Sequence, residues 1–387
     1  MRYCIRFQKS NQSVYTFNSL KYYQKVDIMP DYKIAAIPGD GIGTEVINAG
    51  LRVLNALFEG DNGSKLSITI FPWGSDYYLQ HGNMMPDDGL EQLKNFDAIY
   101  FGSAGDPRVP DHISLWGLRL AICQSFDQYA NVRPSLLLPG IKGPLRDVSA
   151  HHIDWMIVRE NTEGEYAGAG GRVHTGHPSE VGLDVSVFTR SGTERVQRFA
   201  LDLARSRPEK KLTFVTKSNA QRHGMVMWDE IFDEISTEYS DIKIDRMLVD
   251  AMTARMVLEP NSLDVVVATN LHADILSDLA AALSGSMGIA PTANLNPEFK
   301  YPSMFEPIHG SAFDIMGKGI ANPIGAFWSA SMMLEHLGET GPAQRLMEAI
   351  KKLTLDGIYL PQDLGGNSTT EHVTNAILKI IRGDNNI

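Results

Sequence analysis

At 387 residues the chain is long enough for two hydrophobic cores, or for one domain with a large insertion, and its 43% hydrophobic and 21% charged residues are those of an ordinary soluble globular protein. A formal net charge of −11 argues against nucleic acid and anionic membrane as partners, and leaves a small anionic substrate open, since a local group of arginines overrides the global sign. Cys4 and Cys123 are the only cysteines, so a disulfide framework or thiolate metal site is excluded and a reducing cytoplasm fits; no apolar run approaches the roughly 18 residues of a membrane span.

The first 28 residues carry Arg2, Arg6, Lys9, Lys21 and Lys25 with no acid before Asp27, and lack the apolar core of a secretory signal. They read as a leader outside the fold. Lys33 to Ile37 is a short apolar run, expected as a strand, after which Gly39, Gly41 and Gly43 lead into a helical pattern that continues to Leu57. These glycines do not complete a dinucleotide fingerprint, because its third glycine falls on Thr44, and no P-loop lysine follows. GDGIG is therefore a tight strand-to-helix turn. Further strands are expected at Ala98–Ser103, Ile153–Val158, Leu212–Thr216, Met247–Val249 and Leu263–Ala268, with helices at Glu194–Arg205, Ser218–Ile235 and Ala326–His336. That alternation predicts an α/β protein with a mostly parallel sheet. Gly168 to His177 reads as a protruding loop or hairpin arm.

Four of these strands end in a residue suited to chemistry: Arg159, Lys217, Asp250 and Asn270. The crevice beyond the carboxyl ends of parallel strands is where ligands bind. After Asn270 the spacing turns helical, with Ile275, Leu276, Leu279, Ala280 and Leu283 apolar. Asp274 and Asp278 are four apart on that helix, so their carboxylates share a face and repel. A bare pair of this kind is usually a solvated acidic face. Here it opens a helix straight after a buried strand, and a cation between the carboxylates would reverse the repulsion. Oxygen-only ligands suit Mg²⁺ or Mn²⁺.

GDGIG, NLHADILSDLAAALSGSMGIAP (270–291), EPIHGSAFDI (306–315), GIANP (319–323) and DLGG (363–366) occur in the order found in the β-decarboxylating dehydrogenases, and from about residue 31 to the C-terminus the chain resembles that family of isocitrate, 3-isopropylmalate and tartrate/D-malate dehydrogenases. Ser114 to Pro134 is most similar to the tartrate/D-malate branch. The resemblance implies a two-domain isopropylmalate dehydrogenase-like α/β fold of non-Rossmann type with an interdomain cleft. Its first domain would combine 29–127 with 285–387; the second, 128–284, would carry the dimer interface and an arm at about 160–190. A homodimer with shared active sites is implied.

By the same resemblance Arg133 and Arg159 bind substrate carboxylates, for which guanidinium is the fitting group. The family's third arginine lies ten residues before the one in ANxRP; Cys123 stands there, and Arg119, one helical turn earlier, is the candidate replacement. Lys217 matches the catalytic lysine, which takes the C2 hydroxyl proton directly or through water, and Tyr166 the group that protonates the enolate after CO₂ loss. Asp250, Asp274 and Asp278 match the metal ligands, Lys217 and Asp250 entering the site of the opposite subunit. Mn²⁺ or Mg²⁺ is expected, with a monovalent cation such as K⁺ as a further candidate.

Asp314 is the residue that implies NAD, because a carboxylate accepts the ribose hydroxyls and repels a 2′-phosphate, whereas NADP-using relatives carry Lys-Tyr where this chain has Asp314-Ile315. His309, Gly310, Ser311, Ala312 and Asn322 would line the adenosine side. The Asp111–Arg119 segment should face the substrate's variable group, and His112, Ser114 and Trp116 suit a small or hydroxylated substituent. The expected activity is NAD-dependent oxidation and decarboxylation of D-malate, or oxidation of tartrate. Alternatives are a 3-isopropylmalate dehydrogenase, or a non-catalytic regulatory subunit, which would have lost Lys217, Tyr166 or a metal aspartate. A phosphoryl-transfer enzyme would need a phosphate-binding loop that GDGIG does not provide.

Overall fold

In the computed structural model, which describes residues 30–59, 64–146 and 152–383, the apolar runs expected as strands all enter one large sheet. The leader expected at 1–28 lies outside the described residues. In chain order the strands are β1 Asp31–Gly39, β2 Lys65–Ile70, β3 Ala98–Ser103, β4 Ala130–Leu136, β5 Asp154–Glu160, β6 Gly164–Val173, β7 Val181–Val187, β8 Lys211–Thr216, β9 Lys243–Leu248, β10 Val265–Ala268, β11 Pro291–Leu295 and β12 Ser303–Pro307. The main sheet runs β2-β1-β3-β12-β11-β4-β5-β10-β8-β9. Pairing is parallel from β2 to β12 and from β5 to β9. It is antiparallel at the central junctions β12–β11, β11–β4 and β4–β5. The mostly parallel sheet is thus two parallel wings joined by an antiparallel centre, and β6 and β7 form a separate hairpin where the arm was expected.

Alternation along the strands sorts residues between the two faces of the sheet. On one face Ile34 and Ala36 (β1), Ala130 and Val132 (β4), Met156 and Val158 (β5), Val265 and Val267 (β10) and Phe305 (β12) join a single apolar cluster with the helices Gly43–Phe58, Arg190–Ser206 and Ile324–His336. The other face carries two separate clusters. One surrounds Ile37, Phe71, Phe101, Phe126 and Met304; the other surrounds Trp155, Ile157, Val266, Met256 and Leu276. Between them the central strands present Glu306, Asn294, Asn131, Arg133 and Arg159, all buried. Five polar side chains at the middle of a sheet need partners, since an unsatisfied buried polar group costs about 1–3 kcal/mol. That seam is where the candidate site lies.

Two local expectations change. The strand expected at Met247–Val249 ends at Leu248, and Val249 begins the helix Val249–Leu258, so Asp250 sits in a first helical turn. The helix expected from Ser218 begins at Gly224; Ser218 to His223 form turns, with Ala220 and Gln221 both donating to the Lys217 carbonyl. Ser218 and Asn219 are residue types that favour turns over helix interiors. Among the described residues no helix is long and apolar enough to cross a membrane.

Candidate active site

The helix Asn270–Leu283 leaves β10 through Thr269, whose backbone is extended. Ala273, Leu276, Ala280 and Leu283 turn into the core, which puts Asp274, Ser277 and Asp278 on the side of the polar seam. Ile275, expected on the apolar face, is instead 54% exposed, being a third of a turn away from Leu276.

Asp274 is the hub of the cluster. Its Oδ1 pairs with Arg159 Nη1 and lies 3.3 Å from Arg133 Nη2; its Oδ2 accepts from the Tyr166 hydroxyl at 3.1 Å. Asp278 is farther from charge compensation, 3.8 Å from Arg133 Nη1. The guanidinium groups are themselves held. Arg159 Nε donates to Asn270 Oδ1 (2.8 Å), Arg133 Nε to Asn131 Oδ1 (3.0 Å), and Arg133 Nη1 to Ser277 Oγ (2.7 Å). The Arg159 guanidinium carbon lies 5.2 Å from the Tyr166 ring centre, within cation–π range.

Charge states follow from these contacts. Burial would raise Asp274, but Arg159 and Arg133 outweigh it and hold the carboxyl below its ordinary value. Burial raises Asp278, against Arg133 and with the Asp274 charge adding to it. Burial, followed by the neighbouring Arg159 charge, pushes Arg133 down to about 10. Burial and Asp274 raise Tyr166, so the phenol keeps its proton.

Arg119 emerges from a π-helical turn, Leu115–Arg119, and points its Nε and Nη2 edge at Glu306 on β12, at 2.8 and 2.7 Å. Burial opposes its charge, and Glu306 more than restores it. Cys123, in the expected arginine position, is fully buried, and burial pushes its thiol up to about 11. Trp116, on the same turn, is 36% exposed and lies over β6: a Cβ built on Gly168 would meet its ring at 2.8 Å. Gly168 has φ +73°, so both backbone and space require glycine there.

Lys217 and Asp250 stand apart from this cluster. Lys217 Nζ donates to Asp250 Oδ1 at 2.5 Å, and that bond lowers Asp250. Among the described residues no contact joins either of them to Asp274 or Asp278, and no group of three or more His, Cys, Asp or Glu side chains converges as a metal site.

Beyond β12 the chain forms a cavity of about 370 Å³. His309, Ala312, Ile315 and Asn322 line it; Gly310, Ser311 and Asp314 belong to the same loop, with Asp314 exposed, and are not among the lining residues. GDGIG supports this loop: Ile42 N donates to the Ser311 carbonyl at 2.9 Å, and a Cβ on Gly41 would lie 2.0 Å from that oxygen.

Residues 33–377 match the model of the isocitrate/isopropylmalate dehydrogenase family. A probable tartrate dehydrogenase/decarboxylase of Agrobacterium vitis is 63% identical over 357 residues, covering 92% of this chain and 99% of the relative. The decarboxylating D-malate dehydrogenase of Escherichia coli K12 is 50% identical over 361 residues, covering 92% and 99%. The chain belongs to the isocitrate/isopropylmalate dehydrogenase family. Among solved structures, isocitrate dehydrogenase from Methylococcus capsulatus superposes with a TM-score of 0.82 at 35% identity, covering 91% of this chain and 99% of that one.

For a member of a dehydrogenase family the cavity beside His309 has the features of a nucleotide site. His309 Nε2, on the lining, is buried without a hydrogen-bond partner, a group that a nucleotide would satisfy. Asp363 also lines it, accepting from Asn322 Nδ2 (2.9 Å) and from Ser286 Oγ. Asp363, in DLGG, and Ser286, in the 270–291 segment, had no role assigned from the sequence. Ser277, Asn131, Asn161 and Asn294 were missed as well: single serines and asparagines carry no spacing signal. For a divalent cation the donor chemistry fits, with Asp274 and Asp278 offering only oxygen, and within one chain they form a pair rather than a complete shell.

Proposed function

We propose that this decarboxylating dehydrogenase oxidises a small 2-hydroxy dicarboxylate, D-malate or tartrate, with NAD as acceptor and Mn²⁺ or Mg²⁺ as cofactor. The observation that carries the reading is the convergence of Arg133 and Arg159, each aligned by its own hydrogen bonds, on the Asp274/Asp278 face beside Tyr166. Two buried guanidinium groups held in place bind a carboxylate without a further ordering cost. The relatives' names agree: one is a probable tartrate dehydrogenase/decarboxylase, another a decarboxylating D-malate dehydrogenase.

In this reading Arg133 and Arg159, with Arg119 across the seam, bind the two carboxylates. Asp274 and Asp278, joined by Asp250 of a second copy, would hold the cation. When bound, the cation supplies Lewis-acid polarisation of the hydroxy acid, which eases the loss of CO₂. Lys217 of the second copy would take the C2 hydroxyl proton, and NAD, when bound, would supply the acceptor for the C2 hydrogen and its electron pair. The bond to the β-carboxylate then breaks, its electrons forming the enolate, and Tyr166 returns a proton to carbon. Desolvation of the Tyr166 phenol keeps that proton available.

A homodimer supplies the second Lys217–Asp250 pair. Support comes from apolar surface near both elements: Val257 (42%), Leu258 (78%) and Ile275 (54%) on the two packed helices, and Val173, Val181, Leu183 and Val185 along the β6–β7 hairpin, are exposed. The halves 29–127 with 285–387 and 128–284 would meet at β11–β4, across the polar seam. Trp116 lying on Gly168 supports a small substituent at C3 rather than a branched alkyl group. Initial rates of NAD reduction with Mn²⁺ on D-malate, the tartrates, 3-isopropylmalate and isocitrate test the substrate. The highest kcat/KM should fall on D-malate or a tartrate; a maximum on 3-isopropylmalate refutes the pocket argument.

A further inference from the structure

The polar seam has one side chain at its centre. Asn294, on β11, is 0% exposed. Its Oδ1 accepts from Asn131 Nδ2 (2.7 Å), Asn161 Nδ2 (3.0 Å) and Arg119 Nη2 (3.4 Å). Its Nδ2 donates to Glu306 Oε1 (2.8 Å) and the Met304 carbonyl (3.4 Å). An amide has two donors and an acceptor oxygen, and both ends are in use.

What distinguishes this amide is where its neighbours lead. Asn131 Oδ1 receives Arg133 Nε, and Glu306 Oε1 receives Arg119 Nε. One branch therefore runs from Asn294 through β4 to Arg133, and the other through β12 to Arg119. The strands that carry them flank β11 on opposite sides, and Asn131 and Asn294 are directly opposed across the antiparallel β11–β4 pair. The residue thus links the guanidinium group on β4 with the one on the π-helical turn that pairs with β12. Buried hydrogen-bond networks of this kind fix one geometry when every member is satisfied.

We propose that Asn294 is a positioning residue for the substrate: it sets Arg119 and Arg133 in a common register across the β11–β4 seam, and so fixes the carboxylate spacing that the cleft accepts. The proposal rests on the reading of Arg119 and Arg133 as carboxylate clamps. Only an amide meets the requirement. An aspartate in its place would accept from the same three donors but would set a charged oxygen against Glu306, and a leucine of similar size would leave Asn131, Asn161 and Glu306 each short of a partner.

The test compares Asn294→Leu, Asn294→Ser and Asn294→Asp with Arg133→Gln and with the double variant Asn294→Leu/Arg133→Gln. Steady-state kinetics with D-malate and with NAD varied in turn is the readout, and thermal unfolding reports folding. Arg133→Gln should raise KM for D-malate, and each Asn294 variant should raise it roughly tenfold, the equivalent of one lost charge-assisted bond, with kcat and KM for NAD changed far less. Asn294→Asp should add a pH dependence that the parent lacks, KM falling as the new carboxyl takes up a proton. The double variant should fall short of the product of the two single effects, because Asn294 acts in part through Arg133. If Leu does not fold, Ser and Asp still test the KM effect. An unchanged KM in Arg133→Gln removes the clamp and the proposal together. A raised KM there with unchanged KM in the Asn294 variants, or effects that multiply in the double variant, overturns the positioning role and leaves the clamp intact.

Discussion

Asp274 and Asp278 share a helix face but differ in surroundings, and neutralising them one at a time should separate their roles. Asp274 is 33% exposed and faces Arg159 and Arg133, whose side chains are 3% and 8% exposed. Removing one partner of a fully buried pair costs about 3–5 kcal/mol; the partial exposure of Asp274 and the oxygen retained by an amide reduce this to about 2 kcal/mol for Asp274→Asn. In a protein of this size that is roughly 2–3 °C in Tm. Asp278 is 54% exposed, sits 3.8 Å from Arg133, and is raised by burial and by the charge of Asp274. Asp278→Asn relieves that repulsion and forfeits a screened attraction, so its metal-free stability should stay within about 0.5 kcal/mol of the parent. In the proposed site both changes remove a cation ligand. Mn²⁺ at a hundred times its Kd should stabilise the parent by about 2.7 kcal/mol and neither variant. Thermal unfolding of the three proteins, with EDTA and with Mn²⁺, reads all of this. A metal-free Asp274→Asn as stable as the parent would refute the ion-pair argument, and a Mn²⁺ shift retained in either variant would remove that residue from the cation site.

Asp314→Lys should move cofactor preference from NAD toward NADP, measured as the ratio of kcat/KM values; an unchanged ratio refutes the assignment of Asp314 to the ribose. Gly41→Ala, whose new methyl would lie 2.0 Å from the Ser311 carbonyl at φ +55°, should displace the 309–315 loop and raise KM for NAD about tenfold, with a smaller change for D-malate. Equal effects on both substrates would contradict a support role for GDGIG. Glu335, buried on the helix Ile324–His336, is pushed up to about 8 by burial from an ordinary 4.5. The folded state keeps a proton that the unfolded chain has lost, so this group weakens the fold as pH rises from about 4.5 to 8, by about 1.4 kcal/mol per pH unit. Glu335→Gln should remove that slope, and its Tm advantage over the parent should widen between pH 5 and pH 8; parallel Tm curves contradict it.

The strands legible in the sequence were those buried on both faces. Ile34 to Ile37, Ala98 to Phe101 and Val265 to Ala268 are continuous apolar runs because helices cover both sides. The central strands β4, β11 and β12 escaped because they carry the site. Asn131, Arg133 and Pro134 interrupt β4, and Pro291 and Asn294 interrupt β11, so neither reads as a core strand by pattern. β2 is one of the two edge strands and largely exposed, which weakens its apolar signal. Among the site residues, Asp274, Asp278 and Arg159 stood out through their position after strands, and the motif order supplied the family. The pairing of Arg119 with Glu306, 187 positions apart, and the Asn131–Asn294 bond, 163 apart, are properties of the assembled sheet with no local trace.

The central claim is oxidative decarboxylation at a cleft that needs NAD and a divalent cation. NADH and CO₂ released from D-malate, measured together with Mn²⁺ and after its removal by EDTA, test it most directly. The account predicts one CO₂ for each NADH with Mn²⁺ and neither product without a cation. NADH formed without CO₂, or undiminished turnover in EDTA, would contradict it.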